Sequence, residues 1–162
     1  LRARWETLKD THDFFPMLRD LGLTRHQAYQ LAGADLARRL PVSAFETTLR
    51  AAAAQELPIM IFVGNPGCIQ IHTGPVHRIE LMGTWLNILD PGFNLHVRSD
   101  LLAEAWLVRK PTADGTVTSI EIFDAQGEEV ALVFGERKPG RPELQSWRNL
   151  AEQVADSAGV AS

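Results

Sequence analysis

His12 is the residue whose type and spacing point most directly to chemistry. Trp5, Leu8, His12 and Phe15 recur at intervals of three and four residues, which is the spacing of one face of a helix. An imidazole that projects from such an apolar face is suited to act as an axial ligand of a haem iron. The alternative is a core histidine with both nitrogens hydrogen-bonded. The spacing alone favours this alternative, because buried polar groups are usually satisfied.

The other histidines and the cysteine do not form a second metal site by their spacing. His72 and His96 fall in predicted strands, and His77 follows shortly after a proline. None of them pairs at the helical spacing of a zinc site. His26 is expected to be solvated, and Cys68 is expected to be a small buried hydrophobe. One cysteine cannot form an internal disulfide, which fits a reducing compartment.

Composition narrows the classes of protein that remain. The 162 residues suit one domain, 1–162, with a real core. Lysine and arginine total 16 against 20 acidic residues, a net charge of -4 that argues against nucleic-acid binding. No apolar run approaches the ~20 residues of a membrane span, so no membrane insertion is expected. The first residues lack the core of a signal peptide, and we expect a cytoplasmic protein.

Helices are predicted over three segments near the N-terminus, namely 4–21, 24–40 and 42–55. Gly22 ends the first segment, and Pro16 is expected to break or kink it. Thr24 is a typical N-cap for the second segment. A final amphipathic helix is predicted to begin near Pro142, and the tail 157–162 is expected to be frayed.

The pattern changes to short runs rich in β-branched residues between residues 57 and 135. Seven strands are predicted there: 59–63, 68–72, 77–82, 93–97, 104–109, 116–123 and 129–134. Short connections with turn signals such as Asp114-Gly115 favour antiparallel neighbours. The predicted fold class is therefore α+β, with N-terminal helices followed by a large antiparallel β-sheet and a C-terminal helix packed on it.

Five sequence motifs, in order, resemble those of a known family. They are THDFF at 11–15, GNPGCIQIHTGPV at 64–76, LDPGFNLH at 89–96, WLVRKP at 106–111 and FGERKPG at 134–140. They resemble the bacterial haemin-transport and haemin-degrading proteins of the HemS/ChuS/HmuS type, and the match covers nearly the whole chain. Members of that family are cytoplasmic proteins built of two similar tandem halves. The resemblance implies that this chain is one haem-binding domain equivalent to the C-terminal half.

The resemblance also implies a role for five residues. His12 matches the family's axial ligand of the haem iron, which moves the balance from a core histidine to a ligand. Arg25, Lys110 and Arg137 match basic residues that line the haem pocket and would hold the propionates. Arg25 stands in the first turn of its helix, a poor place for a cation, which favours an anionic partner. Phe134 matches a position where some members carry tyrosine, so a hydroxyl contact would be absent here.

The resemblance leaves two functions open. The first is intracellular carriage of haem b (haemin) after uptake, with a haem-uptake transporter or a downstream haem oxygenase as partner. The second is a haem-degrading oxygenase, whose distal arginine comes from the N-terminal half in the resembled proteins. Because that half is missing here, binding is favoured over turnover, and this half alone is expected to be weakly active or inactive. A homodimer could replace the missing half, or one haem face could stay open. A DNA-binding module, suggested only by the outline of the first two helices, is disfavoured by the acidic balance.

Overall fold

The computed structural model describes residues 1–138 and 140–159, which form two antiparallel sheets packed with helices. The α-helices are α1 (Arg2–Trp5), α2 (Phe14–Leu21), α3 (Arg25–Ala32), α4 (Ala44–Ala54) and α5 (Gln145–Gly159). Two short 3-10 turns cover Thr11–Asp13 and Ser99–Leu101. The strands are β1 (Ala37–Leu40), β2 (Ile59–Asn65), β3 (Cys68–Gly74), β4 (Ile79–Met82), β5 (Trp85–Asp90), β6 (Phe93–Arg98), β7 (Leu102–Thr112), β8 (Gly115–Asp124) and β9 (Glu129–Gly135).

The sheet topology confirms the predicted α+β class. Six strands form the large sheet in the order β1-β7-β8-β9-β2-β3, and β4-β5-β6 form a smaller one. Every strand pair is antiparallel, and five of the seven pairs join consecutive strands through short connections, which favour this arrangement. Strand β5 was not predicted from the sequence. Its Leu86 and Ile88 are buried in the core, but the polar Asn87 between them interrupts the apolar run.

Side-chain alternation along β7 gives the large sheet two buried faces. Ala105 and Leu107 belong to the main core, which also holds the apolar faces of α4 and α5. Trp106 and Val108 belong to a second core under the N-terminal helices. Successive side chains on a strand point to opposite faces, so Lys110 lies on the same face of β7 as Trp106 and Val108. Its Nζ lies 4.7 Å from the centre of the Phe14 ring of α2.

The predicted helix over 4–21 is wrong as one continuous element. Helix α1 ends at Trp5, and α2 begins only at Phe14, with a 3-10 turn before it. Asp10 adopts an extended conformation and its side chain accepts the backbone N–H of His12, which starts a new turn instead of continuing the old one. Pro16 does not kink a helix, because it lies in the first turn of α2, where a backbone N–H has no intrahelical partner. Gly22 ends α2 in the left-handed conformation, as predicted.

The predicted helix over 24–40 is correct only in its first half. Thr24 caps α3 in a reciprocal capping box with Gln27, which confirms the predicted start. The helix then ends at Gly33, and Ala37–Leu40 pairs with β7 as an edge strand. Four residues are too few for strand alternation to show in the sequence, so the tertiary pairing decides this segment.

The C-terminal helix packs on the sheet as predicted. Trp147 of α5 is fully buried, and its indole N–H donates to the Thr118 carbonyl of β8 at 2.9 Å. The helix runs to Gly159, three residues into the segment predicted to fray, and residues 160–162 lie outside the described part of the chain. No helix in 1–138 or 140–159 combines the length and the apolar character that crossing a membrane requires.

Candidate functional site

A cavity of about 520 Å³ lies between the N-terminal segment and the face of the large sheet formed by β2, β7, β8 and β9. All five residues predicted from the sequence line it: His12, Arg25, Lys110, Phe134 and Arg137. They come from distant parts of the chain, and the fold brings them to one place. The volume falls within the roughly 300–1,000 Å³ typical of small-molecule sites.

His12 lies on the 3-10 turn and is open to solvent, with 89% of its side chain exposed. The apolar face expected to carry it does not exist as such, because Trp5 and Leu8 are buried whereas His12 and Phe15 are exposed. The break after α1 separates the two pairs. The structure therefore excludes the alternative of a buried core histidine and places the imidazole at the cavity instead.

Asp10 holds the His12 ring. Its Oδ1 accepts the backbone N–H of His12 at 2.8 Å and lies 2.6 Å from the ring Nδ1. The backbone and ring hydrogen bonds of His12 lower the pKa of Asp10, with a further contribution from Arg137. The carboxylate therefore stays charged near neutral pH and can only accept hydrogen bonds. Sequence reasoning missed Asp10, although an aspartate two residues before a candidate ligand is a recognisable capping signal.

Lys110 and Arg25 are both paired with a buried carboxylate. Glu121 of β8 is fully buried, with Oε1 2.6 Å from Lys110 Nζ and Oε2 3.2 Å from Arg25 Nη1. Glu121 also accepts hydrogen bonds from Ser119 Oγ and the Tyr29 hydroxyl. Burial alone would raise the pKa of Glu121, but the two cations outweigh it and lower that pKa to about 2.

Arg25 has a second carboxylate partner. Its Nε lies 2.8 Å from Oε2 of Glu129, a residue of β9 that is partly exposed. Partial burial and the neighbouring Glu121 raise the pKa of Glu129 in spite of Arg25. The position of Arg25 in the first turn of α3 indicated an anionic partner, and the structure supplies two within the protein. The four charged groups, Arg25, Lys110, Glu121 and Glu129, balance to zero net charge.

Arg137 differs from the other two basic residues of the cavity. It forms no ion pair within 1–138 and 140–159, and its side chain is half-buried at the cavity wall. Burial of Lys110 lowers its pKa, and Glu121 restores that pKa only in part. Of the three basic residues, Arg137 is thus the one whose charge is free for an anionic ligand.

An apolar wall faces these polar groups. Met60 pairs with Phe134 and Phe62 pairs with Leu132 across β2 and β9, so the four side chains share one face of the sheet. The Phe62 and Phe134 rings meet edge to face, 5.3 Å apart between centres. Sequence reasoning found Phe134 but missed Met60 and Phe62. Their alternation with the buried Ile59 and Ile61 was the signal that could have found them.

Two minor predictions from the sequence are wrong. His26 is not solvated, because its Nε2 lies 2.7 Å from Glu104 and only 22% of its side chain is exposed. Cys68 is not buried, because it lies exposed beside the β2–β3 turn. Residues 1–138 and 140–159 hold no cluster of three or more potential metal-binding side chains.

Comparison with known proteins decides the family. Residues 22–154 match the family model HemS, described as the haemin-degrading HemS.ChuX domain. The chain belongs to the HemS/ChuX family. It is 42% identical over 147 residues to the hemin transport protein HemS of Yersinia enterocolitica, covering 91% of this chain and 43% of HemS.

Solved structures of this family have the same fold. The chain resembles holo-PhuS, a heme-binding protein from Pseudomonas aeruginosa, with a TM-score of 0.92 and 52% identity over 93% of this chain and 44% of PhuS. It also resembles ChuS, an Escherichia coli heme oxygenase, with a TM-score of 0.91 and 42% identity over 94% of this chain and 46% of ChuS. The chain therefore spans less than half the length of each relative.

Proposed function

We propose that this chain binds haem in the cavity between the N-terminal segment and the large sheet, with His12 as the axial ligand of the iron. The observation that carries the proposal is the exposed His12 imidazole beside an apolar wall. Its Nδ1 is already engaged by Asp10, which leaves Nε2 for a metal. The wall of Met60, Phe62, Leu132 and Phe134 suits the apolar face of a porphyrin.

The polar groups of the cavity divide into two roles in this proposal. Arg137 lacks an ion pair in the described residues, so its guanidinium is the one suited to hold a propionate carboxylate. Arg25 and Lys110 line the same cavity, but both already form ion pairs with Glu121 or Glu129. They would act mainly by shaping the polar edge of the site, with Phe134 supplying apolar contact and no hydroxyl.

Intracellular carriage of haem after uptake is the activity we favour for this chain. Two relatives are described as a hemin transport protein and a heme-binding protein. Ring opening is the second candidate, because ChuS is described as a heme oxygenase. That chemistry requires a hydrogen-bond donor on the face of haem opposite the axial ligand. Two of the three basic side chains in the cavity are tied to carboxylates, which favours carriage.

Haemin titration of His12→Ala tests the ligand assignment. We expect the native chain to give a Soret band typical of a histidine-bound haem, and His12→Ala to lose or strongly shift that band. His77→Ala is the matched control, because His77 is exposed and lies outside the cavity. An unchanged spectrum and affinity in His12→Ala would contradict the proposal.

Reduction of the haemin complex separates carriage from degradation. The complex is incubated with ascorbate, or with NADPH and a reductase, and the tetrapyrrole products are analysed. We expect haem to remain largely intact. Ring opening at a rate close to that of a two-half relative such as ChuS would show that this chain alone acts as an oxygenase.

A further inference from the structure

The contact between Asp10 and His12 does more than cap a turn. One carboxylate oxygen, Oδ1 of Asp10, lies 2.8 Å from the backbone nitrogen of His12 and 2.6 Å from the ring Nδ1 of the same residue. Asp10 thus forms two hydrogen bonds with His12. Capping of the 3-10 turn needs only the first of these hydrogen bonds.

The second hydrogen bond decides which ring nitrogen can bind a metal. A carboxylate has no proton to donate, so Nδ1 must carry the hydrogen that joins it to Oδ1. The lone pair of the neutral ring is then on Nε2. Because 89% of the His12 side chain is exposed, protein packing does little to fix the ring. Asp10 is the group that restricts its tautomer and rotation.

We propose that Asp10 is a positioning residue for haem, which presents His12 Nε2 to the iron and strengthens that nitrogen as a donor. This inference rests on the proposed function, because it takes His12 as the axial ligand. A charged acceptor on Nδ1–H draws the proton toward itself and increases the electron density of the ring. A stronger axial donor stabilises ferric iron relative to ferrous iron.

The hydrogen bond between Asp10 and the His12 ring therefore affects whether this chain carries haem or degrades it. A ligand that stabilises ferric iron opposes the one-electron reduction on which oxygenase chemistry depends.

Two variants of Asp10 separate positioning from simple capping. Asp10→Asn keeps an oxygen that can accept both hydrogen bonds but removes the negative charge, whereas Asp10→Ala removes both hydrogen bonds. Asp13→Asn is the matched control. It makes the same change of charge one residue after His12, and no side-chain hydrogen bond of Asp13 occurs in the described part of the chain.

The measurements are the midpoint potential of bound haem, the iron–histidine stretching frequency of the ferrous complex and the dissociation constant of haemin. We expect Asp10→Asn to lower the stretching frequency and to weaken the preference for ferric over ferrous haem about tenfold. That change corresponds to a positive shift of about 59 mV. Asp10→Ala should weaken haemin binding about 10- to 100-fold, and Asp13→Asn should match the native chain.

The outcomes distinguish this inference from the proposed function. If Asp10→Asn and Asp13→Asn share the native potential and stretching frequency, while His12→Ala loses the Soret band, Asp10 is only a cap and the inference is overturned. If His12→Ala keeps the native spectrum, the ligand assignment and this inference both fail. Asp10→Asn also keeps the test decisive should Asp10→Ala prove unstable, because it retains the capping oxygen.

Discussion

Arg137 should contribute more to haemin binding than either of the other basic residues in the cavity. Removing its guanidinium takes away a charge-assisted contact worth about 1.5–3 kcal/mol. We therefore expect Arg137→Ala to weaken haemin binding about 10- to 100-fold with little change in the stability of the fold. Titration of both chains with haemin measures this directly.

Two controls make the Arg137 result specific to carboxylates. Haemin dimethyl ester lacks free carboxylates, so the native chain and Arg137→Ala should bind it equally. Arg141→Ala removes an exposed arginine outside the cavity and should bind haemin like the native chain. Equal affinity of the native chain for haemin and its dimethyl ester would rule out the propionate role.

Glu121 should make the stability of the fold depend on acid pH. Its pKa is about 2 in the folded chain against an ordinary value of 4.5. A depressed carboxyl pKa contributes stability that is fully present above about pH 4.5 and is lost as the pH falls toward 2. The contribution near neutral pH is on the order of 3 kcal/mol. Urea unfolding of the native chain and Glu121→Gln at several pH values should show their difference shrinking over that window.

The exposed Glu128 supplies the comparison for Glu121. Glu128→Gln should leave the free energy of unfolding close to native at every pH. A difference between the native chain and Glu121→Gln that stayed constant from pH 7 to 2 would mean that the ion pairs with Lys110 and Arg25 do not cause it. Lys110→Ala would not report on haem binding alone, because breaking a buried ion pair typically lowers the free energy of unfolding by about 3–5 kcal/mol.

At the scale of elements, α5 packs closely against the end of β9. A methyl group on Gly135 would lie 2.5 Å from Cγ of the buried Trp147, closer than the packing allows. Gly135→Ala should therefore push α5 away from the sheet and destabilise the fold by about 1–3 kcal/mol. Thermal unfolding measures the loss.

Gly92 is the matched position for that test. A methyl group there would meet no atom within 4 Å, so Gly92→Ala should stay close to native stability. If Gly135→Ala were as stable as Gly92→Ala, the close approach of α5 to β9 would not be a constraint on the fold. Because Gly135 also lines the cavity, haemin affinity should fall in parallel with stability.

At the scale of the whole molecule, we expect the exposed edge of the large sheet to promote self-association. Strand β3 is an edge strand, and its Ile69 and Ile71 are 60% and 52% exposed. An open edge with exposed apolar side chains can pair with a second chain. We expect a concentration-dependent dimer by analytical ultracentrifugation and a shift toward monomer in Ile71→Lys.

Leu31→Lys separates edge pairing from general hydrophobic association. Leu31 is 63% exposed on α3, away from β3, so its change should leave the dimer intact. A monomer at high concentration would rule the dimer out. Equal effects of the two lysine variants would mean that association does not use the β3 edge.

Much of the fold follows from local patterns. Thr24 and Gly22 mark helix ends by capping and left-handed backbone, which a few residues decide. Strands β2, β8 and β9 follow from their β-branched residues. The errors fall where distant contacts outweigh local preference. Ala37–Leu40 becomes a strand because β7 offers an edge to pair with.

The site divides in the same way. The sequence by itself determined the class of fold and, through the family motifs, the five residues that meet in the cavity. Only the tertiary structure decided their electrostatic state, because the partners are far apart in the chain; Arg25 and Glu121 are 96 residues apart. Folding pairs Arg25 and Lys110 with carboxylates and leaves Arg137 available. It also exposes His12, which its helical spacing alone would have placed in the core. The burial and ion pairing of these side chains depend on which distant elements pack together, and the spacing of neighbouring residues does not predict that.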